Sequence, residues 1–389
     1  MIARRLEDIS FEDLSNLLQN EVRENKTLEY KRQLPHEGDS AKLPFLAEVC
    51  ALANTDGGDL IFGIDDEKGS PKELTGLSID DPDKEILRIE SAIRTGIEPR
   101  IPNISSKVIR GNAKIFLIVR VARSWNAPHR VIFKDHAKFY KRNSAGKYSM
   151  DVSELRMAFV QSEQIVDRIR NFRRTRLEKL KAEHELPVNL HSGAKLALHL
   201  VPLVAFSQPS YLSFDKRDDT TLSLRPMGSS GWNRRYNLDG LVSYARGRDD
   251  SSISYTQIFR NGVIEAVSSI GWYDDRKCIA SQAYEREFIQ GARSYLKTYS
   301  VLDIEAPIFF FISLVGIKDY TFAVSQRLFF LDDRKASDRD DLILPEGRFA
   351  SLDEDPEKVF QPFFDMIWNA YDFERSFNYD DNGNWVGQQ

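Results

Sequence analysis

Cysteine is nearly absent from this chain: Cys50 and Cys278 stand far apart, outside any CxxC or Cys/His spacing. That excludes a disulfide framework and offers no zinc site. Long hydrophobic runs are missing too. The longest, PIFFFISLVGI at residues 307–317, falls short of the ~20 residues that cross a bilayer and reads as a buried strand. No membrane partner is expected. No charged-then-apolar leader opens the sequence, so a cytoplasmic location is expected. The phosphate-binding pattern GxxxxGK[ST] does not occur. His36, His129, His136, His184, His191 and His199 are scattered without metal spacing, and no Ser/His/Asp arrangement stands out.

What is present is a globular composition, 41% hydrophobic and 29% charged over 389 residues, which is long enough for two domains. The net charge of -5 conceals an uneven distribution. Residues 1–100 carry 13 Lys and Arg against 22 Asp and Glu, residues 101–182 carry 19 against 6, and residues 183–389 carry 22 against 31. A basic block in an acidic chain suggests a local face for a polyanion, because phosphate backbones respond to clustered Lys and Arg rather than to pI. Pairing with the acidic segments is the alternative, but residues 101–150 hold 11 basic and 1 acidic residue, so adjacent partners are lacking.

Ser10 and Asp13 have capping-box spacing ahead of Phe11, Leu14, Leu17, Leu18 and Val22, which predicts a first helix. Residues 27–32 alternate as a strand, 40–53 form a second helix closing at Asn54-Thr55-Asp56-Gly57-Gly58, and 60–64 form a strand. Asp81-Pro82 opens a third helix, and residues 105–109 and 115–121 make a hairpin across Gly111-Asn112. Strands at 131–134 and 139–142 precede a long helix from about residue 152, whose basic side chains either track phosphates or are solvated. From residue 188 the chain turns acidic and aromatic-rich, with strands expected within 191–203, 255–272 and 309–322, helices over 282–299 and 356–371, and a disordered polar tail at 378–389. The expected class is α+β: a mixed, mostly antiparallel N-terminal sheet with flanking helices, a long linker helix and a second α+β domain. The domains are expected at residues 1–182 and 188–389.

Residues 24–66 concentrate acids around a Gly-Gly turn. Strand alternation turns Glu29 away from Leu28 and Tyr30 and gives Lys31 its face, where the lysine could hold a phosphate. The same alternation separates Asp65 from Asp66, so one of the two joins a shared site. From the spacing alone, a surface salt bridge on Glu29 and ordinary turn acids are the favoured reading. Asn54, Gly57 and Gly58 read as a left-handed turn, and the glycines follow a helix rather than open one, so no helix N-terminus faces a phosphate there.

Taken in order, Glu24-x4-Glu29-x-Lys31, Asn54-Thr55-Asp56-Gly57-Gly58, Leu60-Ile61-Phe62-Gly63-Ile64 followed by Asp65-Asp66, and Phe139-Tyr140-Lys141-Arg142 resemble the Schlafen AlbA_2 domain over about residues 10–170. Bacterial members of that family are commonly labelled DNA-binding proteins, whereas vertebrate Schlafens are metal-dependent endoribonucleases that cut tRNA. In the nuclease members two glutamates five positions apart and an aspartate after the Gly-Gly strand form the centre. The resemblance therefore assigns catalysis and metal binding to Glu24, Glu29 and Asp66, its register favouring Asp66 over Asp65, while the sequence alone leaves Asp65, Asp56 and Asp59 open as alternatives to Asp66. Oxygen donors of this kind suit Mg²⁺ or Mn²⁺.

The expected function is a metal-dependent endoribonuclease acting on tRNA or another structured RNA, with anti-phage defence the role that bacterial relatives suggest. The alternatives are a non-catalytic DNA- or RNA-binding regulator and an ATP-binding regulator. Lys31, Arg130, Lys134, Lys138, Lys141, Arg142, Arg173 and Arg176 are the expected nucleic-acid contacts, and Tyr140 is expected in the core. Vertebrate cores pair two such lobes and this chain shows one, which implies a homo-oligomer. Residues 188–389 are expected to sense a protein or ligand trigger or to oligomerise.

Overall fold

The computed structural model describes residues 1–387 except 3, 5, 37, 103, 125, 135, 145, 208–211, 215–221, 248–249, 271–276 and 325–335, and the side chains at 39, 161–163 and 207. Its class is α+β. The chain divides into two units, Met1–Gln164 and Ile165–Gln389.

The first unit runs α1 (Phe11–Gln19), β1 (Leu28–Lys31), α2 (Asp39–Ala53), β2 (Gly58–Phe62), β3 (Ile64–Glu67), β4 (Ser70–Leu74), α3 (Pro82–Gly96), β5 (Ile97–Glu98), β6 (Ile104–Gly111), β7 (Lys114–Val121), β8 (Arg130–Phe133), β9 (His136–Asn143) and β10 (Gly146–Ser149) into α4 (Val152–Ala182). The division between units falls inside α4. Capping matches the sequence signals: Asp13 accepts the Ser10 backbone N–H at 2.9 Å, and Asp81 accepts those of Asp83 and Lys84 at 3.1 Å. Two four-stranded sheets result, ordered β1-β2-β7-β6 and β10-β9-β8-β5, with β3-β4 as a separate hairpin. Only β1 with β2 is parallel among the described pairings of this unit. Asn112 and Ala113, both left-handed at +50° and +57°, turn the β6-β7 hairpin.

Helix α2 is buried from Leu46 to Ala53, because apart from Glu48 it is apolar around its whole circumference and has to be covered on every side. Leu46, Val49 and Leu52 pack with Leu60 and Phe62 of β2, Leu117 and Val119 of β7, Ile89 and Ile93 of α3, and Val131 of β8. The other face of the first sheet buries Leu14, Leu28, Tyr30, Ile61 and Ile118. At the end of α2, Gly57 has φ +72°, and a Cβ there would stand 2.7 Å from the Arg123 nitrogen and the Val121 oxygen. The Gly-Gly pair is thus explained by close backbone passage, with no phosphate needed.

The second unit builds a sheet ordered β12-β13-β14-β15-β11-β17-β19, with β20 also on β17. Its elements are β11 (Lys195–Pro202), α5 (Val204–Ser207), β12 (Asn233–Tyr236), β13 (Gly240–Arg246), β14 (Ser252–Phe259), β15 (Ile264–Ser269), β16 (Cys278–Ala280), α6 (Ser281–Val301), β17 (Ile308–Val315), β18 (Thr321–Ala323), β19 (Asp341–Ile343), β20 (Gly347–Phe349) and α7 (Pro356–Ala370). One core joins Phe288 and Tyr295 of α6 to Phe360, Phe364 and Trp368 of α7 and to Leu198, Phe310 and Ile312 of the sheet. Two smaller clusters set Ile169, Leu177 and Leu180 of α4 against Val201, Val267 and Phe311. The stretch expected as one strand over 255–272 is two, turned at Gly262 (φ +90°), and Trp272 lies outside the described residues. That over 309–322 stops at Val315, where Gly316 (φ +69°) turns the chain.

The tail expected to be disordered is ordered through residue 387. Its reason is Glu285 on α6, fully buried and without a cation among the described residues. Its carboxylate accepts the Trp368 and Trp385 indole N–H groups at 2.8 and 2.7 Å, the Ser376 hydroxyl at 2.7 Å and the Asn378 amide at 2.9 Å. Burial raises the Glu285 carboxyl above its ordinary value, so donors from the tail are what make its position tolerable. Among the described residues no helix is long and apolar enough to cross a membrane.

Candidate functional site

Strand β1 turns Leu28 and Tyr30 into one core and Glu29 the other way. Glu29 there meets Arg142 of β9 at 2.5 Å through one oxygen and Lys31 through the other. The same guanidinium reaches Glu48 of α2 at 3.0 Å, and the second Glu48 oxygen takes Lys147 of β10, which stands opposite Arg142 in the strand register. Glu29, Glu48 and Arg142 are 7%, 5% and 4% exposed. Lys31, Glu29, Arg142, Glu48 and Lys147 therefore form one alternating chain of charge. Burial acts to raise the Glu29 carboxyl, but Lys31 and Arg142 outweigh it and hold Glu29 below the usual carboxylate value.

Glu24 lies at the rim of this chain. Its backbone N–H donates to Gly69 at 2.7 Å and its carboxylate accepts the Tyr30 N–H at 2.8 Å, which ties β1 to the β3-β4 hairpin. Burial raises the Glu24 carboxyl, and the charges of Glu29 and Asp66 add to that. Asp66 is exposed and accepts the Gly69 N–H at 3.0 Å. The other aspartates are occupied or remote: Asp65 stands 3.8 Å from Arg32, Asp56 is exposed at the end of α2, and Asp59 is buried in a two-pronged pair with Arg120 at 2.7 and 3.0 Å.

Among the described residues no group of three or more His, Cys, Asp and Glu side chains is placed to hold a metal ion. The donor chemistry explains how far the expected centre fits one. Glu24 and Asp66 each keep one carboxylate oxygen without a hydrogen-bond partner among the described residues, the hard donors that Mg²⁺ or Mn²⁺ takes. Glu29 has both oxygens on cations and is a bridging carboxylate in this arrangement.

The expected nucleic-acid contacts divide. Lys31 is partly exposed, Arg130 pairs with Glu98 at 2.9 Å on an exposed edge, and Lys134 and Lys138 are exposed around the β8-β9 turn. Lys141 is half-buried, and strand alternation sets it on the face opposite Lys138 and Arg142. Arg142 is buried in the charge chain, so the expectation that it contacts phosphate gives way to a structural role. Arg176 gives way likewise: its guanidinium meets the buried Glu265 at 2.8 and 2.7 Å, and that carboxylate also accepts from Tyr255 at 2.7 Å and lies 2.9 Å from His199. Burial would raise Glu265, but His199 and Arg176 hold it down at about 2. Arg173 is half-buried and donates to the Ile312 and Leu344 carbonyls at 3.3 and 2.8 Å. Both arginines lie on the stripe of α4 that carries Ile169, Leu177 and Leu180 inward.

Tyr140 packs against the core as expected, and Asn54 clamps its surroundings, accepting the His129 N–H at 2.7 Å and donating to the His129 and Tyr140 carbonyls at 2.8 and 2.9 Å. Buried His129, its imidazole lowered by burial, is no surface contact. Sequence reasoning missed Glu48 and Lys147. The signal for Glu48 was legible, a lone carboxylate in the apolar helical run from Leu43 to Ala53.

Among solved structures, the chain is similar to the DIP2311 protein of Corynebacterium diphtheriae, at 20% identity over 36% of this chain and 26% of that one, with a TM-score of 0.26. It is also similar to the N-terminal domain of an ATP-dependent DNA helicase RecG-related protein from Nitrosomonas europaea, at 24% identity over 35% of this chain and 89% of that one, with a TM-score of 0.27. The chain spans about a quarter of the first of these proteins. No curated protein matches it. Residues 24–151, which hold Glu24, Glu29, Glu48, Asp66, Arg142 and Lys147, match the family described as Schlafen, AlbA_2, and the N-terminal unit thus carries a Schlafen AlbA_2 domain.

Proposed function

We propose that the N-terminal unit binds RNA across the Glu24–Lys147 cluster and cleaves it with a divalent cation held by Glu24 and Asp66. The observation that carries this reading is that Glu24 and Asp66 meet at Gly69, whose carbonyl accepts the Glu24 N–H and whose N–H donates to Asp66, with one oxygen of each carboxylate left free; the charges of Glu29 and Asp66 act with burial to raise Glu24, against Tyr30 and Lys31. A cation between them would relieve that repulsion. When bound, Mg²⁺ or Mn²⁺ would neutralise charge at the scissile phosphate and activate water. Lys31 holds the adjacent phosphate, and Arg130, Lys134 and Lys138 position the backbone without choosing sequence. The buried chain of Glu29, Arg142, Glu48 and Lys147 fixes β1, and with it Glu24, against α2 and β9. The family supports tRNA or another structured RNA as the substrate and a second copy of the chain as the source of a second lobe. A regulatory role for residues 188–389, and a part in phage restriction, belong to the same reading.

Labelled tRNA and single-stranded DNA are incubated with the protein and Mn²⁺, with EDTA, and with the Glu24→Gln/Asp66→Asn double variant. Metal-dependent cutting of tRNA that disappears in a folded double variant is the expected result. Absence of cutting with Mn²⁺, or cutting that survives the double substitution, overturns the reading. One observation favours a second reading, binding without cleavage: both Glu29 oxygens are held by cations, leaving two free carboxylate oxygens instead of three liganding residues. It expects both proteins to shift the nucleic acid equally in a native gel, with binding that falls steeply as salt rises.

A further inference from the structure

In the second unit a cleft of about 670 Å³ opens between α4 and the β17-β19 edge. Leu177, Phe311, Ile343 and Pro345 give it apolar walls, while Arg170, Arg173, Arg174 and Lys181 bring four cations against two carboxylates, Glu178 and Glu346. Two of the cations already have partners, Arg170 with Glu346 at 3.6 Å and Lys181 with Asp341. Arg173 and Arg174 have no carboxylate partner among the described residues: Arg174 donates to Asn171 at 3.0 Å, and Arg173 to backbone carbonyls and the Ser313 hydroxyl at 3.0 Å.

Arg173 is the telling group. Its guanidinium lies 4.8 Å from the centre of the Phe311 ring, and its Nε is buried without a partner. Burial drags it down to about 10, only partly opposed by Glu346. Arg176, one turn further along the same helix, shows what a satisfied arginine looks like here, with Glu265 filling its fork. A half-buried cation with no carboxylate at ion-pair distance, opposed only from further off by Glu346, is costly to keep, and an anion entering the cleft would reduce that cost. A volume of this size is in the range of small-molecule sites, and apolar walls beside convergent charge suit a ligand with a flat apolar body and an anionic end.

We propose that this cleft is a binding site for a phosphate monoester with a planar apolar body, of the size of a nucleoside monophosphate, whose dianionic phosphate meets Arg173 and Arg174 and whose body lies along Leu177, Ile343 and Pro345. This site is independent of the reading given to the N-terminal unit, and it supplies that unit's neighbour with a small-molecule ligand.

Isothermal titration of the full chain with AMP, UMP, adenosine and inorganic phosphate tests it, with Arg173→Gln and Arg174→Ala as variants. AMP or UMP should bind once per chain, more tightly than phosphate, with adenosine at least about tenfold weaker. Both variants should weaken the monophosphate by about tenfold or more. Arg174 is exposed, so Arg174→Ala decides the matter should Arg173→Gln fail to fold. No saturable binding of either monophosphate below about 1 mM, or affinity unchanged in Arg174→Ala, overturns the site. Phosphate binding as tightly as the monophosphates overturns the apolar subsite.

Discussion

Replacing Arg142 by methionine removes a cation that two buried carboxylates share while keeping a side chain of similar length. Glu29 at 2.5 Å and Glu48 at 3.0 Å would retain only Lys31 and Lys147, both nearer the surface. Removing one partner of a buried pair costs about 3–5 kcal/mol, because it strands the opposite charge out of water. For a unit the size of Met1–Gln164, each kcal/mol moves the unfolding midpoint by about 2–4 °C, so its transition should fall by about 6–20 °C.

The pH dependence separates this cause from a loss of packing. In the wild type Glu29 is held below its ordinary value, so its contribution is full above the unfolded carboxylate range and is lost as pH falls through the folded value. In Arg142→Met the guanidinium's share of that lowering is gone, the folded value moves upward, and the lost stabilisation of the charged carboxylate is felt at neutral pH and matters less as acid protonates Glu29. The gap between the two proteins should therefore be widest near pH 7 and shrink towards pH 4. Adding Glu48→Gln to Arg142→Met should recover part of the loss, since a neutral amide costs less to leave behind. Denaturant titrations followed by circular dichroism at pH 7, 5.5 and 4.5 measure all of this. A stability change within about 0.5 kcal/mol at pH 7, or a gap that does not depend on pH, would refute the account of the charge chain.

Arg176→Met should destabilise the second unit by about 3–5 kcal/mol by leaving Glu265 buried with only His199 and Tyr255. It should leave the salt slope of RNA binding unchanged; a slope reduced by about 0.7 would place the guanidinium on a phosphate instead. Trp385→Phe keeps an aromatic ring, though a smaller one, and deletes one donor to Glu285; the lost hydrogen bond should cost about 1.5–3 kcal/mol in denaturant titration and less as pH falls and Glu285 takes up a proton. An unchanged midpoint would mean that the tail does not hold that carboxylate.

Local signals carried much of the architecture. Ser10 with Asp13 and Asp81 with Pro82 act within a few residues and produced the caps expected of them, while the hairpin turn expected across Gly111-Asn112 falls one residue later, at Asn112-Ala113. Glu24 and Asp66, read through the resemblance, also come near one another, because the backbone bond from Glu24 to Gly69 brings the hairpin beside β1.

What could not be read was the partner of each charge. Arg142 and Lys138 share a strand face and a charge, yet one is buried and the other exposed, since Glu29 and Glu48 arrive from 113 and 94 positions away. The basic block on α4 misleads for the same reason: Arg176 answers a carboxylate 89 positions on, and no window of the sequence contains both. The polar tail repeats the case, its Asn378 and Trp385 polar groups being donors to Glu285, 93 and 100 positions earlier. A lone charge inside an apolar run is the one local trace of such pairs. Glu48 in α2 and Glu265 within the buried strand β15 both show it, and in each case the structure supplies an arginine. Arg173 is the reverse, a cation set beside Phe311 for which the described residues supply no acid at ion-pair distance, Glu346 acting only from further off, and that asymmetry is the ground for proposing an external anion in its cleft.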